Sequence, residues 1–269
     1  MKGGGVQLKG SSAQPLLVSR EWPVDRANPK AAVLQRRLMK AREHLETWRR
    51  EVWMVEKLLR HHAGTGAKVL DVACGTGFGI LELSARGFRT AGVDMDPRLC
   101  ELVSDAARHF NVRAHAVAGD ACRLPFADGS FDAVMSRSFF EHVYDRDLAI
   151  TEQLRVIRPG GLLLILDGNL MNPRVLLDLL VMYPLRTRGR HGGLKWLFTK
   201  RRVRRNLYGY LPLGRDEDVK TPRWWRRTIE NRLDCELVEA TTSARYMHPE
   251  WPQVLHPFLG SCQVIALKR

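Results

Sequence analysis

The sequence predicts an α/β protein built on a doubly wound, mainly parallel sheet, and two observations carry that expectation. From Lys68 onward, short apolar runs alternate with amphipathic stretches of helical period. That is the pattern of strands joined by crossover helices that cover both faces of a parallel sheet. The first apolar run ends in Asp71-Val72-Ala73-Cys74-Gly75-Thr76-Gly77, and the next, Thr90-Ala91-Gly92-Val93, closes on Asp94, seventeen positions after Gly77. Gly75 and Gly77 lack a Cβ, so the chain can turn sharply and bring its amides close to a ligand. A carboxylate at the end of the second strand of such a fold is placed to accept ribose hydroxyls. The pair of features implies a nucleoside-containing ligand.

Element by element, residues 1–28 are rich in Gly, Ser and Pro and read as a flexible tail. Pro29 opens a helical pattern over 29–62, with Val33, Leu34, Leu38, Leu45, Trp48, Val52, Val55 and Leu59 near helical spacing. Strands are expected near 68–73, 89–94, 112–118, 131–136 and 161–167, and helices near 79–86, 97–109 and 147–157. This cofactor-binding core spans 66–167. An interruption at 168–233 separates it from two further apolar runs, 236–241 and 263–267, within a last section at 234–269. Residues 29–269 form one domain.

Composition narrows the setting. At 269 residues and 45% hydrophobic content the chain can pack a sizeable core. Its five cysteines (Cys74, Cys100, Cys122, Cys235 and Cys262) show no Cys-x-x-Cys spacing, which argues against a zinc site or a disulfide framework. No apolar leader stands at residues 1–10 and no run reaches the length of a membrane span, so a cytoplasmic location is expected. A net charge of +14 points to acidic substrates, anionic surfaces or nucleic acid, without choosing among them.

The dinucleotide pattern Gly-x-Gly-x-x-Gly is broken here, because Ile80 stands at the third glycine position. The segment Asp71–Gly77 instead resembles the first motif of class I S-adenosylmethionine-dependent methyltransferases, in the small-molecule, type 11-like branch. The resemblance continues at Gly92-Val93-Asp94-Met95-Asp96, Ala118-Gly119-Asp120-Ala121, Leu124-Pro125-Phe126, Ser130-Phe131-Asp132-Ala133-Val134 and Leu154-Arg155-Val156-Ile157-Arg158-Pro159-Gly160-Gly161. It covers residues 68–167. It implies a Rossmann-like sheet of seven strands whose last is antiparallel, preceded by an N-terminal helix and carrying a helical insertion. S-adenosylmethionine is the implied cofactor.

The resemblance places Asp71, Ala73, Gly75, Gly77, Asp94, Met95, Asp120, Ala121 and Ser136 around that cofactor. Asp94 takes the ribose hydroxyls, and Asp120 with the Ala121 amide meets the adenine; a helix N-cap is the other reading of Asp120. The segment after the fourth strand is expected to line the substrate mouth, where Arg137 points to a substrate anion or to a carboxylate such as Glu141. Asn169 ends the fifth strand on the same side. His142 and Asp167 are the two candidate general bases, although a histidine here can equally be structural. No metal is expected. The implied reaction is methyl transfer to a small-molecule acceptor, with oxygen taken from base rates; the substrate reads as anionic, sugar-like or lipid-linked. The alternatives are a nicotinamide-dependent oxidoreductase, a non-catalytic basic binding protein, and an RNA methyltransferase using the insertion.

That insertion is the chain's individual part and is expected to select the substrate. Between Leu179 and Gly214 there is no acidic residue, while nine Lys or Arg and several aromatics interleave. A solvated helical lid is one reading. A face resting on an anionic membrane surface through 186–205, peripheral to the inner membrane, is the second. RNA contact ranks last.

Overall fold

The computed structural model describes residues 45–140, 142–168, 172–173, 235–242 and 262–269. The expected tail at 1–28, the first part of the long helix and the basic-aromatic stretch 186–205 lie outside the described residues. So do Glu141 and Asn169.

The described elements run α1 (Leu45–His62), β1 (Lys68–Val72), α2 (Phe78–Ala85), β2 (Arg89–Asp94), α3 (Pro97–Phe110), β3 (Ala114–Ala118), β4 (Phe131–Arg137), α4 (Arg146–Val156), β5 (Ile157–Gly168), β6 (Glu236–Thr242) and β7 (Cys262–Lys268). The strands lie in the order β3-β2-β1-β4-β5-β7-β6. Strands β1 to β5 pair in parallel, while β7 pairs antiparallel with both β5 and β6.

Side-chain alternation explains the two layers. Along β5, Leu162, Leu164 and Leu166 face α1, α2 and α3 with Val69, Ala133 and Met135, while Leu163 and Ile165 face α4 with Leu70, Val72 and Val134. Val69, Leu70 and Val72 are all fully buried, and each such side chain contributes about 1.5–3 kcal/mol on leaving water. A strand buried on both faces is what a sheet covered on both sides requires. Glu56 of α1 ties that helix to its neighbour, taking Arg60 at 2.9 Å and Arg86 at 3.1 Å, and Arg86 pairs in turn with Glu82 of α2.

Most element boundaries fall within a residue or two of the expectation, and three differences have a visible cause. Strand β3 starts at Ala114 rather than 112, because Asn111 caps α3 in a left-handed conformation (φ 53°) and the Val112 amide returns to the Ala107 carbonyl. Helix α4 starts at Arg146 because Asp145 caps it, its carboxylate accepting from the Leu148 amide at 3.0 Å. Strand β5 opens at Ile157, inside the expected helix and ahead of Pro159-Gly160-Gly161. Ile157 pairs with Phe131 before the register shifts and resumes at Ala133 and Leu162.

The strand order reverses direction between β1 and β4. The loops leaving these two strands therefore diverge to opposite faces and open a crevice at the carboxyl ends.

Candidate active site

The described residues predicted for the site gather at that crevice. Asp71 lies in β1, Asp94 ends β2, Asp120 follows β3, Ser136 and Arg137 end β4, and Asp167 stands one residue before the end of β5.

The turn between β1 and α2 is built by left-handed residues: Ala73 (φ 59°), Gly75 (φ 56°) and Gly77 (φ 74°). It is pinned to β2 by the Cys74 amide donating to the Val93 carbonyl at 3.1 Å, and it closes through the Gly77 amide on the Cys74 carbonyl at 2.9 Å. Gly77 also caps α2 without any side-chain hydrogen bond. A Cβ on Gly77 would stand 2.4 Å from Cγ2 of Val103 in α3, whereas one on Gly75 would meet nothing within 4 Å. The loop is thus closely packed behind Gly77 and open in front of Gly75.

Asp94 organises the mouth of the loop. Its Oδ2 accepts from the Gly75 amide at 2.9 Å and its Oδ1 from the Asp96 amide at 2.9 Å. Two backbone donors hold the carboxylate plane, and each oxygen keeps a second lone pair for a ligand. Met95, the next residue, is 75% exposed. Asp120 uses Oδ1 to accept from the Cys122 amide at 2.8 Å and Oδ2 to accept from the Tyr144 hydroxyl at 3.1 Å. Ala121 beside it is buried. Ser136 is also buried, paired in register with Val72 and Ile165, and its hydroxyl has no hydrogen-bond partner among the described residues.

Burial sets the electrostatics. Asp71 is pushed up to about 7 by burial, with the Arg137 guanidinium pulling it down and Asp94 pushing it up. Arg137 pairs with Glu51 of α1 at 3.2 Å. Arg137 is expected to point to a substrate anion or to Glu141; Glu141 lies outside the described residues, and the pair the structure shows is with Glu51 of α1. Asp167 is likewise pushed up to about 7 by burial, against the Phe139 and Phe140 amides and the Arg146 charge that favour its ionised form. Its Oδ1 accepts from the Phe139 amide at 3.2 Å, so this carboxyl holds the turn that follows β4. Desolvation lowers the His142 imidazole below its ordinary value. Burial also pushes the Cys74 thiol far up, which leaves it a packing group within the loop. Among the described residues, no cluster of three or more His, Cys, Asp or Glu could hold a metal.

Two residues at the crevice escaped the sequence reading. Glu51 sits 86 positions from Arg137 and looks like any charged residue on the outer face of an amphipathic helix. Tyr144 occupies a polar turn between Val143 and Asp145, and its only signal was being a lone aromatic there.

Sheet order, glycine turn and strand-end carboxylates together define the fold of the class I S-adenosylmethionine-dependent methyltransferases. The family model described as "Methyltransferase domain" matches residues 70–165. The demethylmenaquinone methyltransferase of Staphylococcus haemolyticus is 35% identical over 123 residues, covering 44% of this chain and 51% of that protein. The demethylmenaquinone methyltransferase of Mycolicibacterium paratuberculosis is 42% identical over 104 residues, covering 39% and 43%. The matched part therefore spans about half the length of these relatives. In fold, the chain resembles a SAM-dependent methyltransferase from Aquifex aeolicus (TM-score 0.51, 14% identity, 79% of this chain and 88% of that one). It also resembles a geranyl diphosphate methyltransferase in complex with SAM (TM-score 0.51, 19% identity, 80% and 84%).

Proposed function

We propose that the whole protein transfers a methyl group from S-adenosylmethionine to a small, lipid-linked acceptor of quinone-like chemistry, at an oxygen atom. The observation that carries the methyl-donor half is the Asp94 carboxylate, fixed by the Gly75 and Asp96 amides with lone pairs to spare beside an open loop. The lipid-linked, quinone-like character of the acceptor draws its support from the names of the relatives matched over the core, and the oxygen atom from base rates alone.

The residues present fit the cofactor. Open space in front of Gly75 leaves room for a close approach to backbone amides, and the N-terminus of α2 behind it favours a carboxylate. In this reading Asp94 holds the ribose and Asp120 with the Ala121 amide receives the adenine, while Met95 covers the base. Asp71, Ala73 and Gly77 shape the loop, and Ser136 lines the inner wall. When bound, S-adenosylmethionine supplies an electrophilic methyl group on a sulfonium. The protein's own work is alignment and exclusion of water, and alignment of this kind can supply roughly 7–11 kcal/mol of barrier reduction. Of the two candidate bases, His142 is neutral at pH 7 and can accept a hydroxyl proton. Asp167, engaged with the amides of the following turn, acts as a positioning group. Arg137 with Glu51 frames the substrate mouth, and the substrate role expected of Glu141 and Asn169 belongs to the same proposal. The same reading takes the antiparallel β7 with β6 as the closing sixth and seventh strands of the family's sheet. The basic stretch 186–205 would bring a lipid-linked acceptor's membrane to the site.

The test supplies purified protein with methyl-labelled S-adenosylmethionine and, in parallel, a reduced prenylated quinone, a simple sugar and a short RNA. Label in the quinol product, one methyl heavier by mass spectrometry and carried on oxygen, supports the proposal. Label in the RNA or the sugar, or methylation at carbon, contradicts it.

A further inference from the structure

Tyr144 lies in the turn between β4 and α4, and its surroundings separate a fixed backbone from a loose side chain. Val143 packs against the core, and Asp145 caps α4 while its carbonyl accepts from the Cys122 thiol at 3.5 Å. The Tyr144 side chain is nevertheless 74% exposed, so its ring has little packing to hold it. What it does have is a hydrogen bond from its hydroxyl to Oδ2 of Asp120 at 3.1 Å, with the Cys122 side chain beside it.

The two oxygens of Asp120 are engaged in different ways. Oδ1 receives a backbone amide from the adjoining turn, a bond that cannot leave without unfolding that turn. Among the described residues, Oδ2 receives only the hydroxyl of a rotatable, exposed side chain. Exposed large hydrophobic side chains among the described residues are Met95, Tyr144 and Leu148, and the first two stand beside Asp94 and Asp120.

We propose that Tyr144 gates the adenine half of the site: its hydroxyl holds the carboxylate oxygen that an adenine amino group needs, and releases it when the nucleoside enters. This rests on the methyltransferase reading, in which Asp120 receives the adenine. Binding then exchanges one donor on Oδ2 for another, and the hydroxyl acts as a competitor built into the protein. Tyr144 is a specificity residue, since a base without a donor at that position must expel the hydroxyl and returns nothing to Asp120.

The experiment is titration calorimetry of the wild-type protein and Tyr144→Phe with S-adenosylhomocysteine and with S-ribosylhomocysteine, which lacks the base. Tyr144→Phe keeps the ring and loses only the competing donor. The expected result is S-adenosylhomocysteine bound roughly three- to tenfold more tightly by Tyr144→Phe, with the affinity for S-ribosylhomocysteine unchanged. Unchanged or weaker binding of S-adenosylhomocysteine by Tyr144→Phe overturns the gate, as does equal tightening of both ligands. A wild-type protein that binds no S-adenosylhomocysteine overturns the underlying reading instead, and the two failures are distinguished in the same titrations.

Discussion

Gly77→Ala tests how the cofactor loop is held, because two separate penalties meet at that position. The first is conformational: φ is 74°, and an L side chain in the left-handed region costs about 1–2 kcal/mol. The second is steric. The new Cβ would stand 2.4 Å from Cγ2, 3.0 Å from Cγ1 and 3.2 Å from Cβ of Val103, which is fully buried in α3. Forcing a methyl group into such a site costs about 1–3 kcal/mol. The sum, about 2–5 kcal/mol, corresponds to a fall in Tm of roughly 5–15 °C for a chain of this size. Val103→Ala removes both γ-carbons, and with them the two shortest contacts, while the conformational penalty stays. A double-mutant cycle followed by urea unfolding should therefore show Gly77→Ala costing less in the Val103→Ala background, by about 1–3 kcal/mol. Additivity within about 0.5 kcal/mol would refute the steric account and leave conformation alone as the cause.

Asp94→Asn turns one of the two acceptors that now serve the Gly75 and Asp96 amides into a donor. It should cost about 1.5–3 kcal/mol in urea unfolding and weaken S-adenosylhomocysteine binding at least about tenfold in calorimetry, and an unchanged affinity would contradict the role assigned to Asp94. Asp71 and Asp167, each raised from 3.8 to about 7, keep protons in the folded state that the unfolded chain has lost. Their contribution is full below pH 3.8 and is lost as pH rises through 7, so stability should fall across that window. Asp71→Asn should flatten the fall by an amount on the order of 4 kcal/mol, read as the difference in unfolding free energy between pH 4 and pH 7. Arg137→Met removes the cation that lowers Asp71 and should move its carboxyl titration, followed by NMR, further upward; a downward move would contradict the assignment.

What could be read from the sequence was what a short segment encodes by itself. The turn at Asp71–Gly77 carries its own conformation in Gly75 and Gly77, and Asp94 and Asp120 each bond amides within two residues of themselves. What a short segment does not disclose is non-local. Arg137 pairs with Glu51 of α1, and Asp167 serves an amide 28 positions away on a neighbouring strand's turn. Pro159-Gly160-Gly161 reads as punctuation ahead of a strand, yet β5 begins before it, because Phe131 offers a pairing edge that only the assembled sheet reveals. Tyr144 was missed for the same reason: nothing in its own segment indicates that Asp120 lies within reach.

The central claim, that this crevice binds S-adenosylmethionine, is tested most directly by thermal unfolding with S-adenosylhomocysteine or NADH. A ligand at about a hundred times its Kd stabilises the folded state by about 2.7 kcal/mol, or roughly 5–10 °C here. The account predicts that shift with S-adenosylhomocysteine and none with NADH. A shift with NADH, and none with S-adenosylhomocysteine, would contradict it.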